Sequence, residues 1–119
     1  MQNSISRKTL FRLHAEVCKT LSNPKRLEIL TFLREEELSA GEIVSKMQIP
    51  KANVSQHLAL MRNAGILETR REGVNIFYRI SNPKVMMAYD LMCEVLIEHH
   101  QQQDSIFIQA NKERTNNVR

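Results

Sequence analysis

Tryptophan is absent from this 119-residue chain, and aromatic residues of all kinds make up only 5% of it. Any core must therefore be aliphatic, with the six methionines as adaptable fillers. Glycine and proline number three each, too few turn-formers for an all-β chain. No run approaches the ~18 consecutive apolar residues of a membrane span. The opening stretch MQNSISRKTLFRLH has no apolar centre of the kind a secretory signal needs. Two cysteines, Cys18 and Cys93, do not make a disulfide framework. No G-x-S-x-G, phosphate-binding Walker loop, H-E-x-x-H or paired-cysteine zinc spacing occurs. These absences lead us to expect one mainly helical domain, cytoplasmic, with free thiols and no enzymatic activity.

What is present is charge, and it is unevenly spread. The formal net charge is +4. Met1–Arg34 carries seven basic and two acidic residues, and Lys51–Ile80 five basic and two acidic. Between them Glu35–Pro50 carries four acidic and one basic. Basic segments flanking an acidic one suggest a surface that faces a polyanion on a molecule that is not sticky all over.

Apolar spacing sets out the helices. Leu10, Leu13, Val17 and Leu21 repeat at helical intervals, which predicts a first helix over about Ser6–Leu21. Asn23 and Pro24 suit the cap and first position of a second helix, expected from Pro24 to about Glu36, with Leu27, Leu30 and Leu33 inward and Ile29 and Phe32 on its flanks. Ser39 and Glu42 form a capping box ahead of a third helix, about Ala40–Met47. After the short turn Gln48-Ile49-Pro50, Val54, Leu58 and Met61 define one face of a fourth helix that Gly65 stops.

The opposite face of that fourth helix carries Lys51, Asn53, Ser55, Gln56 and His57. Such a face can be mere solvated surface. Two short helices joined by a tight turn, however, have helix-turn-helix spacing, in which the second helix enters the major groove and its N-terminal residues touch base edges. Neutral donors and acceptors read bases, whereas a lysine face would mostly find phosphate. The stretch Ile66–Ile80 follows as a β-hairpin around a glycine turn, with Arg70 and Arg71 leading into its tip. Helix-turn-helix plus basic hairpin is the winged-helix arrangement. A last helix, about Lys84–Gln103, is apolar on more than one side, so it needs a partner besides its own domain. We expect a mainly α fold with a small β-hairpin, dimerising through the first and last helices. Residues 1–103 would form the DNA-binding and dimerisation domain, and residues 104–119 a polar tail.

Three ordered motifs resemble those of the ArsR/SmtB, or arsenic-repressor, family of winged-helix regulators. LSNPKRLEIL (Leu21–Leu30) is similar to its L-[SG]-[ND]-P-x-R-[LR]-x-I-L pattern. NVSQHLALMRNAGIL (Asn53–Leu67) is similar to V-S-x-H-L-x-x-L-x-x-A-G-[LI]-[LV], and RREGVNIFYRIS (Arg70–Ser81) resembles its wing. The resemblance implies a homodimeric repressor that sits on a palindromic promoter operator and leaves it on a chemical signal. Carried over by position, Lys51, Asn53, Ser55 and Gln56 would read bases, with His57 and Arg62 as further contacts. His57 has a second role open to it, packing within the domain. Arg26 is read as structural or phosphate-facing. Arg70, Arg71 and Asn75 would be wing contacts.

The family's usual metal sites are not matched. Ser39 and Gly41 stand where one site has paired thiolates, and Met92 and Gln103 stand where another has its last-helix ligands. Thr31 stands where an oxidant-sensing subgroup carries its first cysteine, and Cys93 meets the second position only loosely. Cys18 and Cys93 thus leave three readings. They are buried core residues, or they form a redox or reactive-sulfur switch, for which a direct disulfide needs Cα atoms within ~7 Å. Alternatively, with His14 and His100, they hold one soft or borderline metal or metalloid ion per subunit. No cofactor is otherwise expected. A winged-helix DNA-binding protein with no sensor is the remaining alternative.

Overall fold

The computed structural model describes residues 4–117, with side chains through residue 113. Its elements run α1 (Arg7–Thr20), α2 (Pro24–Phe32), β1 (Leu38–Ser39), α3 (Ala40–Met47), α4 (Lys51–Asn63), β2 (Leu67–Glu72), β3 (Asn75–Ile80) and α5 (Lys84–Asn117). The chain divides into two units, Met1–Pro83 and Lys84–Arg119.

In the first unit α1, α2 and α3 each begin at a side-chain cap. Ser6 accepts from the Thr9 amide at 3.2 Å. Asn23 accepts from the amides of Lys25 (2.9 Å) and Arg26 (3.2 Å). Ser39 and Glu42 complete a reciprocal capping box at 3.1 and 3.0 Å. The turn between α3 and α4 is set by Gln48, whose φ of 56° is left-handed. It ends α3 as a glycine would and sends the chain into Pro50. At the far end of α4, Gly65 takes φ +79°. The amides of Gly65 and Ile66 donate back to Arg62 (3.0 Å) and Met61 (2.9 Å), a Schellman closure.

α2 with its cap residue Leu33, α3 and α4 bury Ile29, Leu30, Leu33, Ile43, Met47, Val54, Leu58 and Met61, and Leu38 and Leu67 of the sheet and Ile66 just ahead of β2 are buried as well. Each fully buried aliphatic side chain contributes about 1.5–3 kcal/mol, so this aliphatic cluster is what holds the reading helix in place. Ile29, expected on a flank, is completely buried.

The sheet has three strands in the order β1-β3-β2, all antiparallel. The hairpin was expected; the two-residue β1 pairing with Tyr78 and Phe77 was not. The fold is a winged helix-turn-helix. Two helix ends also differ from expectation. α2 stops at Phe32 rather than Glu36, because Glu35, Glu36 and Glu37 would crowd negative charge onto the negative end of the helix. α5 continues past Gln103 to Asn117, since no glycine or proline interrupts it and Gln, Ala, Lys, Glu and Arg there are good helix formers.

α5 taken alone is a single helix of 34 residues. Leu91, Met92, Val95, Leu96 and Ile97 are exposed along it, as are Ile106, Phe107 and Ile108 beyond. Among the described residues no helix is long and apolar enough to cross a membrane.

Candidate nucleic-acid interface

Val54, Leu58 and Met61 fix which side of α4 turns inward. By the 100° step of a helix, Ala52, Gln56, Ala59 and Asn63 form the stripe directly opposite. All four are exposed. Lys51, Ser55 and Arg62 flank that stripe on one side, Asn53 and Leu60 on the other, and all are exposed. Lys51, Asn53, Ser55, Gln56 and Arg62 are thus all exposed, with Gln56 on the outward stripe and Asn53 on the opposite side of it from Lys51, Ser55 and Arg62. Ala52 and Ala59 were not singled out from the sequence. Their small side chains leave the backbone of α4 free to approach a groove closely around Gln56. No side chain caps the N-terminus of α4, and no acidic residue stands in its first turn, so its positive end is open to a phosphate.

His57 sits apart from this surface. It is half-buried, and its Nδ1 accepts a hydrogen bond from Arg26 Nε at 3.2 Å. Arg26 Nη1 also donates to the Thr20 carbonyl at 2.8 Å. Accepting at Nδ1 requires the neutral ring with its proton on Nε2. Burial, and then the charge of Arg26, lower the His57 pKa below its usual value. His57 thus ties α4 through α2 to the end of α1, and Arg26 takes the structural one of its two expected roles.

The wing is a hairpin closed by the two-residue turn Gly73-Val74. Gly73 supplies φ +63°, which the first turn position of a type II′ hairpin requires. Val74 is 97% exposed at the tip. Antiparallel pairing places Leu67, Thr69, Arg71, Ile76, Tyr78 and Ile80 on one face of the hairpin, and Glu68, Arg70, Glu72, Asn75, Phe77 and Arg79 on the other. The first face joins the core at its base, where Leu38 and Leu67 are buried, and carries Arg71 toward the tip. On the second face Arg79 pairs with Glu68 at 2.9 Å. There too Arg70 donates to Glu37 at 2.6 Å and to Glu72 at 2.6 Å, and its guanidinium lies 4.6 Å from the centre of the Phe77 ring. Asn75, expected as a contact, is exposed beside the turn. The ties to Glu37 and Phe77 bridge separate elements and have no local signal in the sequence.

Neither thiol belongs to the core: Cys18 is exposed and Cys93 half-buried. His14 on α1 and His100 on α5 are exposed, and His100 Nε2 lies 3.3 Å from Asp104. Among the described residues of one chain, no three His, Cys, Asp or Glu side chains are gathered as a metal ion needs.

The family described as "Bacterial regulatory protein, arsR family" matches residues 23–69, from the α2 cap into β2. The transcriptional activator HlyU of Vibrio cholerae is 35% identical over 83 residues, which are 70% of this chain and 77% of HlyU. A biofilm growth-associated repressor of Agrobacterium fabrum is 43% identical over 70 residues, 59% of this chain and 60% of the repressor. Among solved structures, the crystal structure of Mycobacterium tuberculosis Rv0081 superposes with a TM-score of 0.72 at 34% identity, covering 79% of this chain and 95% of that one. The homodimeric winged helix-turn-helix DNA-binding domain of Mb0332 from Mycobacterium bovis gives 0.72 at 32% identity, covering 83% and 93%. With the reading helix, the wing and this breadth of likeness together, the chain belongs to the ArsR family of bacterial regulatory proteins and is a DNA-binding transcription regulator.

Proposed function

We propose that the chain works as a homodimer that represses transcription from an imperfect palindrome in a promoter and leaves it on a thiol-based signal at Cys18 and Cys93. α4 of each protomer lies in a major groove, where Lys51, Asn53, Ser55 and Gln56 meet base edges; Arg62 and Arg71 meet the backbone. The observation that carries this reading is the exposed, mostly neutral polar row of α4, held outward by the buried ridge of Val54, Leu58 and Met61. Side chains of that kind discriminate bases instead of adding uniform attraction.

Dimerisation is supported by apolar residues exposed on α1 (Leu10, Phe11, Leu13) and on α5, and by the homodimeric form of Mb0332. Repression is the role of the Agrobacterium relative and of PagR of Bacillus anthracis, whereas HlyU is described as an activator. The thiol signal is supported by the exposure of Cys18 and partial exposure of Cys93. A structure of HlyU from Vibrio cholerae is described as reduced, which agrees with a redox-linked relative. In the switch, two thiols lose two electrons and two protons to a polysulfide or disulfide oxidant as a sulfur bridge forms. Strain from that bridge changes the separation of the two reading helices, which must meet successive major grooves ~34–36 Å apart.

The test is a fluorescence-anisotropy titration, at fixed salt, on the DNA upstream of the chain's own gene. Reduced, metal-free protein should bind that DNA, and Gln56→Ala should weaken specific binding by about 1–3 kcal/mol while leaving binding to random duplex alone. Equal weakening on all DNA would refute base reading by α4. Polysulfide should weaken specific binding severalfold, and Cys93→Ser should abolish the effect. Binding unmoved by oxidant, but moved by a metal or metalloid ion, would transfer the sensor to His14, Cys18, Cys93 and His100.

A further inference from the structure

Arg70 and Arg71 are neighbours in sequence but have opposite surroundings. Every nitrogen of the Arg70 guanidinium is engaged. Nε donates to both oxygens of Glu37 (3.1 and 3.3 Å), Nη2 to Glu37 Oε1 (2.6 Å), and Nη1 to Glu72 Oε2 (2.6 Å). The ring of Phe77, directly across the hairpin, covers one side of the group at 4.6 Å. The backbone beside Glu37 is itself fixed, because Leu38 and Ser39 pair with β3. The hydrogen bond from Arg70 holds the Glu37 carboxyl below its usual pKa. Two carboxylates against one guanidinium leave this face with a net negative charge. An isolated surface ion pair adds little, but a bidentate arginine in a network is the geometry in which such pairs hold. Arg71 points to the other face and has no hydrogen bond or ion pair among the described residues.

We infer that Glu37, in the loop ahead of β1, is a positioning residue of the DNA interface: with Glu72 it withholds Arg70 from nucleic acid, so that the wing meets phosphate through Arg71 alone. The inference rests on the DNA reading above and divides the paired wing arginines into one brace and one ligand. It also gives the wing a sidedness. Phosphate is attracted to the Arg71 face and repelled from the Glu37–Glu72 face, so the duplex can lie along only one of the two.

The experiment measures binding of the full reduced chain to a random-sequence duplex over a range of salt concentrations. Each phosphate neutralised contributes about 0.9 to the slope of log affinity against log salt. Arg71→Gln should flatten the slope by about that amount for each wing engaged, while Arg70→Gln leaves it unchanged. Glu37→Gln/Glu72→Gln should raise affinity and steepen the slope, and adding Arg70→Gln to that pair should remove the steepening. A brace with no bearing on DNA would not steepen the slope when released. Flattening by Arg70→Gln equal to that by Arg71→Gln, or no steepening in the double variant, would overturn this inference alone. A wild-type chain with no salt-dependent binding would overturn the DNA reading along with it.

Discussion

At the scale of single residues, His57 is the side chain of the reading helix that hydrogen-bonds to another helix. Its Nδ1 can accept from Arg26 only while the ring is neutral, and burial lowers its pKa below 6.5. A histidine with a depressed folded-state pKa binds protons more readily when unfolded. Its contribution to stability is therefore fully present above the unfolded value near 6.5 and is lost as pH falls from there through the folded pKa. Denaturant melts between pH 7.5 and 5 should show the wild type losing more stability on acidification than His57→Gln. Equal pH dependence in both proteins would mean that the Arg26 bond does not sense the ring. The sequence left His57 two roles, a DNA contact or packing within the domain. Its turn toward Arg26, 31 positions away, depends on how α2 packs on α4, and no local pattern carries that.

Among the elements, the wing depends on a single backbone angle. Gly73 has φ +63° and nothing within 4 Å of where a Cβ would stand, so the cost of a side chain there is purely conformational. Gly73→Ala should destabilise the hairpin by about 1 kcal/mol and weaken DNA binding without disturbing α4. Hydrogen-exchange protection should fall in β2 and β3 while that of Leu58 and Met61 holds. Loss at both places would mean that the wing is no separate element energetically. The starts of α2, α3 and α4, the α4 stop at Gly65 and the hairpin were all legible in the sequence, because caps, glycines and apolar spacing act within a few residues. β1 was not legible, because Leu38 and Ser39 become a strand only by pairing with Tyr78 and Phe77, some 40 positions on. The true end of α2 depends on charge at a helix terminus, which apolar spacing ignores. The extension of α5 past Gln103 was hidden by its polarity, since a polar helix and a polar tail look alike to a hydrophobic pattern.

For the whole molecule, Leu10, Phe11 and Leu13 on α1 and Leu91, Met92, Val95, Leu96 and Ile97 on α5 are exposed, apolar surface of the kind that marks a protein contact. Phe11→Asp and Leu96→Asp place charge on those surfaces and on no buried core position. Each should shift the sedimenting mass from two chains to one at micromolar concentration while helical circular dichroism is retained. Specific DNA affinity should fall by more than tenfold, because the second half-site is then no longer held by linkage to the first. An unchanged mass in both variants would remove α1 and α5 from the interface.

The bond chain from the Thr20 carbonyl through Arg26 to His57 has a consequence for transplantation. One guanidinium donates to both ends, so the end of α1 adds a polar tie to a helix whose roll is set by the buried ridge of Val54, Leu58 and Met61. A recognition helix grafted from another regulator would bring its own outward side chains yet still need an acceptor at position 57. Altered sequence preference should therefore be obtainable by exchanging positions 51–56 alone, with His57 and Arg26 kept as a matched pair. A graft that discards either one should keep its outward face, which the ridge of Val54, Leu58 and Met61 sets, but lose the tie to the end of α1.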